Sequence, residues 1–201
     1  MKKEDLFEKL KRNTHLHCDM PDMNMVGIVY DDPLAQFCEM VVAVGGKFTV
    51  LADGEDVNEA IKRLYPDAKV FASNLPEITI ATLNPDTVAE AQDLNGTDVG
   101  ILRGELGVAE NACVWVPQTM KEKAVMFISE ELVLLLDRNK LVHNMHEAYT
   151  KIAMNDYGYG CFISGPSKTA DIEQALVMGA QAARGVTVVL TQGTRPFAVP
   201  L

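Results

Sequence analysis

The stretch Phe162-Ile163-Ser164-Gly165-Pro166-Ser167-Lys168-Thr169-Ala170-Asp171-Ile172-Glu173 carries the densest set of side chains able to do chemistry. An apolar run, then small and polar residues, then residues at helical spacing read as a buried strand, a tight loop and the first turn of a helix. Such a loop offers the backbone N–H groups of a helix N-terminus, the hydroxyls of Ser167 and Thr169 and the Lys168 cation, a set that suits phosphate or carboxylate. Ligands in open α/β sheets bind beyond the carboxyl ends of strands, which is where this loop is expected to lie. Its spacing differs from the G-x-x-x-x-G-K-[ST] of a nucleotide P-loop. Asp171 and Glu173 share the first turn, where each would repel an anion by about 1 kcal/mol at about 4 Å in water. Two readings stand side by side. Either both complement the helix dipole, a gain of about 0.3–1 kcal/mol each, or they take the hydroxyls of a ligand that also carries an acidic group, such as a sugar phosphate or a hydroxy acid.

Other groupings are weaker. His143 and His146 stand three apart with Glu147 beside them, but the order is neither H-E-x-x-H nor H-x-x-E-H, so they read as exposed polar positions. His15, His17 and Cys18 fall in an irregular stretch that does not fix ligand geometry. The cysteines, at 18, 38, 113 and 161, form no C-x₂-C-like pair. The chain is therefore expected to hold no iron–sulfur cluster, no zinc and no other cofactor of its own. Cys38, on an apolar helical face, and Cys161, opening an apolar strand, read as buried small hydrophobes in a reducing cytoplasm. Trp115 and Met126 read as core.

The elements that position these residues follow from periodicity. Asp32 and Pro33 before Leu34, Phe37, Cys38, Val41 and Val42 give an N-cap, a proline at the first helical position and one apolar face, ended by Gly45-Gly46. A strand is expected from Lys47 to Leu51, a helix over Val57 to Leu64 stopped by Pro66, and a strand from Lys69 to Ala72. Short apolar runs follow at Ile78–Ala81, Val99–Leu102, Leu106–Ala109, Ala112–Val116, Ala124–Ile128 and Leu132–Leu136, several of them neighbouring strands. Val142, Met145, Tyr149 and Ile152 form one helical stripe; Ile172, Ala175, Leu176 and Gly179 form another. Cys161–Ser164 and Val186–Thr191 read as strands. Strands alternating with helices predict an α/β fold with a mainly parallel sheet and helices on both faces.

The 201 residues suffice for one core without disulfide or metal. Residues 26–201 read as a single domain, and residues 1–25 as a charged helical arm around Leu6, Phe7 and Leu10, packed on the domain or on another subunit. No apolar run approaches the ~20 residues of a membrane span, and the charged start does not resemble a signal peptide. A net charge of −10 works against a sequence-independent grip on nucleic acid. A cytoplasmic protein is expected.

Residues 161–178, centred on Ile163-Ser164-Gly165-Pro166-Ser167-Lys168-Thr169-Ala170-Asp171-Ile172-Glu173, resemble the signature of the LUD-domain family, nearest to its lactate utilization protein C, LutC, type. The likeness continues through Leu176-Val177-Met178-Gly179 to Arg184 and Val188-Val189-Leu190. It runs back through Leu141-Val142 and Glu131 to Gly107-Val108-Ala109-Glu110. The resemblance implies a three-layer α/β/α domain like that of ribose-5-phosphate isomerase and the CoA transferases. It also implies an accessory role beside iron–sulfur oxidoreductase subunits in L-lactate oxidation, with a small hydroxylated or acidic ligand at Ser164, Gly165, Pro166, Ser167, Lys168, Thr169, Asp171 and Glu173, and Glu110 facing it. The alternatives are a free-standing enzyme of isomerase or cyclo-ligase type, with Glu110, Asp171 or Glu173 as acid or base, and a non-catalytic regulatory binding protein. Two places differ from the family pattern. Glu110-Asn111-Ala112-Cys113 stands where Glu-Thr-Gly-Thr or Glu-Thr-Gly-Ser is usual, and Gln181-Ala182-Ala183-Arg184-Gly185 where His-Gly-Pro-Arg-Glu is usual.

Overall fold

The computed structural model describes residues 2–14, 19, 27–153, 158–169, 177–179 and 181–192. Helix α1 (Lys3–Asn13) buries none of its residues, and Leu6, Phe7 and Leu10 are exposed. Next comes α2 (Pro33–Ala43), where the Asp32 carboxylate accepts from the N–H groups of Leu34 and Ala35 and Pro33 occupies the first turn, as expected. Gly45, at φ 84°, turns the chain out of the helix into β1 (Lys47–Val50). Helix α3 (Val57–Leu64), capped by Asp56, leads to β2 (Phe71–Ala72). Then come β3 (Val99–Gly104), β4 (Leu106–Val108), β5 (Val114–Pro117), α4 (Val125–Ile128) and β6 (Glu131–Asp137). The chain continues through β7 (Leu141–Val142), α5 (Met145–Lys151), β8 (Gly160–Ile163), β9 (Lys168–Thr169), β10 (Val177–Met178) and β11 (Gly185–Thr191).

The central sheet has five strands, all parallel, in the order β1-β11-β6-β3-β2. Side chains alternate along its strands, so each strand feeds two cores. Leu132, Leu134, Leu136, Val186, Val188 and Leu190 pack with Phe37 and Val41 of α2 and Val125 and Met126 of α4. Val99, Ile101, Val133, Leu135 and Val189 pack on the other side with Ala60 and Ile61 of α3. Each of the larger side chains contributes roughly 1.5–3 kcal/mol by leaving water, and the result is a three-layer α/β/α body. A second sheet, β7-β4-β5-β8, pairs β4 parallel to β7 and antiparallel to β5, with β8 antiparallel to β5. Its core, Leu106, Val108, Trp115 and Val142, rests against Ala148 of α5. Among the described residues no helix is long and apolar enough to cross a membrane.

Several expectations are corrected. Among the apolar runs, of which several were expected as strands, Ala124–Ile128 contains α4, a single helical turn with Val125 and Met126 buried. Ile78–Ala81 is a sequence of turns held by the Asn58 side chain, which accepts from the N–H of Thr79 and donates to the carbonyl of Glu77. Val142 belongs to β7 and not to the helix that follows it. Val177 and Met178 form β10, so the proposed second stripe does not reach them as a helix; Ile172, Ala175 and Leu176 lie outside the described residues.

Candidate functional site

Strand β8 is fixed by its register with β5, Ile163 opposite Val114 and Phe162 opposite Trp115. The loop that leaves it begins at Ser164, whose hydroxyl donates to the carbonyl of Asn111 at 2.7 Å. That bond lays the 164–167 loop beside the 110–113 turn. In the turn the Asn111 side chain accepts from the N–H of Cys113, and Ala112 takes a φ of 56°. This is the left-handed region that favours glycine, and it falls where the family pattern resembled above carries one. Ala112 adopts it without being glycine. Gly165, at φ 66°, presses against the end of α2, where a Cβ would lie 2.8 Å from the Val44 carbonyl oxygen.

The expected helix N-terminus is not at Ser167-Lys168-Thr169. The Ser167 N–H donates to the carbonyl of Ala183, its carbonyl accepts from Gly179, and Lys168 and Thr169 pair antiparallel with Met178 and Val177. The Lys168 ammonium donates to the carbonyl of Val44, the residue that ends α2. It thus serves a carbonyl at the negative end of the helix dipole. Lys168→Met should therefore lower the stability of the unliganded chain by about 0.3–1 kcal/mol, measurable as a shift in the urea midpoint. Glu110 is also engaged: its carboxylate accepts from the N–H of Met145, in the first turn of α5. Asp171 and Glu173 lie outside the described residues.

Of the expected ligand residues, Ser164, Gly165, Pro166 and Ser167 come together, lining a cavity of about 260 Å³ with Phe127 and Ala182. Lys168, Thr169 and Glu110 do not line it. Cys161, also on its wall, is half-buried where a buried residue was expected, as is Cys38. Burial pushes the thiols of Cys38, Cys113 and Cys161 up; Cys113 is partly drawn back by its hydrogen bond with Ser164, and Cys161 by one with Tyr159. His143 is no exposed polar position: its Nδ1 accepts from the N–H of Tyr30 at 3.1 Å, docking residues 27–30 on the domain. Among the described residues no three His, Cys, Asp or Glu side chains form a group that could hold a metal. His15, His17 and Cys18 lie outside those residues.

A second place lies apart from the motifs of the sequence. The strand before the expected loop runs antiparallel to its partner, so the carboxyl ends of the parallel strands open elsewhere, near Arg103, Asp137 and Thr191. Arg103 is ion-paired with Glu77, and burial pulls its guanidinium below the ordinary arginine range. The signal was a charged residue closing an otherwise apolar strand. Arg184, in the second departure from the family pattern, pairs with Glu130 and Glu131. Gly185 beside it leaves the room that the Glu131 carboxylate fills.

No curated protein matches the sequence. The structure is similar to that of a DUF162 family protein from Deinococcus radiodurans, with a TM-score of 0.64 over 82% of this chain and 99% of that one. At 12% identity this likeness speaks for the fold alone. The LUD domain model matches residues 84–191, more than half of the sequence, and the chain belongs to the LUD-domain family.

Proposed function

We propose that the chain is a LutC-like accessory subunit of an L-lactate-oxidising system, working beside iron–sulfur oxidoreductase subunits and binding a small hydroxylated or acidic ligand at the 164–173 stretch. One observation carries the reading: the 164–167 loop walls a cavity while two charged residues expected at the site are engaged elsewhere, Lys168 with Val44 and Glu110 with Met145. With Lys168 and Glu110 so engaged, we read the loop as one that holds a ligand and does not turn it over. Family membership supports the subunit role, as does the exposed apolar stripe of α1, for which we assign the partner-facing surface. On this reading the redox cofactors belong to the partners and this chain brings none.

Affinity purification from the native cell tests it. Iron–sulfur proteins should co-purify, and should be lost when residues 1–13 are removed. L-lactate should raise the melting temperature of the chain, and Ala182→Leu, which fills the cavity, should abolish that rise. Turnover of a sugar phosphate by the isolated chain, with no partner recovered, would establish the free-standing enzyme in its place.

A further inference from the structure

Strands β3 and β6 lie side by side and parallel in the central sheet; both continue into the second sheet, where their extensions β4 and β7 are again parallel neighbours. The connectors are Glu105 on one strand and residues 138–140 on the other. Where this double pair passes from one sheet to the next, a cavity of about 700 Å³ opens. That volume suits a small molecule. The cavity stands at the carboxyl ends of parallel strands, the position that the topology of α/β sheets favours for ligands. Its wall holds Arg103, Glu105, Trp115, Asp137, Lys140 and Lys151.

Three cations against two carboxylates is an inversion in a chain whose net charge is −10. Lys151 is paired with Glu147, and Asp137 accepts from the backbone and side chain of Asn139. Lys140 has no ion pair within 4.0 Å among the described residues. Glu77 holds one edge of the Arg103 guanidinium, whose fork of five donors suits a carboxylate or phosphate. Glu105 stands in the same wall, and its carboxyl is pushed up by burial against the pull of Lys140. A carboxylate beside a bound anion repels it unless the ligand offers a donor, so the pattern selects an anion that also bears a hydroxyl. We propose that this cleft binds a small hydroxylated organic anion, with Arg103 and Lys140 holding its charged group and Glu105 accepting from a neighbouring hydroxyl. The proposal is independent of the subunit reading and of the 164–167 cavity.

Trp115 is the single tryptophan of the chain and lines the cleft, so its fluorescence reports occupancy. The full chain is titrated with glycerate, with glycerol 3-phosphate, and with propionate, which has the charge and no hydroxyl. Glycerate or glycerol 3-phosphate should give a saturable change, showing which anionic group is preferred, and propionate should bind about tenfold more weakly. Lys140→Met, an exposed change that spares the fold, should weaken the bound probe about tenfold; Glu105→Gln should narrow the gap between glycerate and propionate. Ala182→Leu, which fills the other cavity, should leave these titrations unchanged, whatever it does to lactate stabilisation. The proposal is overturned if none of the probes moves the signal, if Lys140→Met binds as the unaltered chain does, or if Ala182→Leu removes the response.

Discussion

Leu134→Ala should destabilise the domain by about 2–5 kcal/mol, with the denaturation midpoint falling and the slope of the transition unchanged. Leu134 lies midway along β6, the middle strand of five, flanked by Val188 of β11 and Leu102 of β3. It is fully buried and belongs to the core shared with α2 and α4. The close-packed surroundings relax only in part around the space a truncated side chain leaves, so lost transfer energy and cavity both count. Phe48→Ala is the matched comparison. Phe48 sits on β1 at the sheet's edge, 39% exposed, and should lose distinctly less although the residue is larger. Equal losses would show that burial in the sheet does not follow the strand order given above.

Gly104→Val should cost about 1–3 kcal/mol, and it should do so through geometry and not conformational entropy. Gly104 ends β3 where β5 of the second sheet crosses it, and a Cβ there would overlap the Val114 side chain. Val114 must shift to relieve that overlap, and where its movement parts the two sheets the tryptophan emission should shift to the red as Trp115, 5% exposed, gains water. Gly158→Val, where a Cβ meets nothing within 4 Å, should leave emission unchanged. A red shift in both variants would mean that Trp115 reports general loosening and not the separation of the sheets.

Local signals carried much of the architecture. Asp32-Pro33 marks the start of α2 through side-chain capping and a preset backbone angle, both properties of adjacent residues. The apolar run Leu132–Leu136 marks a strand covered on both faces. Ala124–Ile128 has the same look and folds as a turn of helix, because a short apolar run satisfies a buried strand and a buried helix alike. The direction of the strand before the 164–167 loop was hidden for a related reason. Cys161–Ser164 was legible as a strand, but the direction of its neighbour is decided by β5, far back in the sequence, and no side chain of the strand records it. The loop residues Ser164–Ser167 were visible as a group and do share a cavity. The partners that Lys168 and Glu110 take, Val44 and Met145, were not legible because they come from distant elements. Arg103, Glu105 and Lys140 assemble only once β3 and β6 lie side by side.

The pairing of β1 with β11, Lys47 against Thr187, matters most while the protein is being made. At roughly 5–20 residues per second, synthesis leaves β1 waiting on the order of ten seconds for the strand that will flank it. During that interval Phe48 and Val50 have no neighbour on either edge, and nearly the whole intervening chain must be released before the sheet can close. Contacts so remote in sequence form late and slow folding. The nascent chain therefore passes through a stage in which an apolar strand is open to wrong partners, and its yield in the cell should depend on holdase chaperones more than its finished stability would indicate.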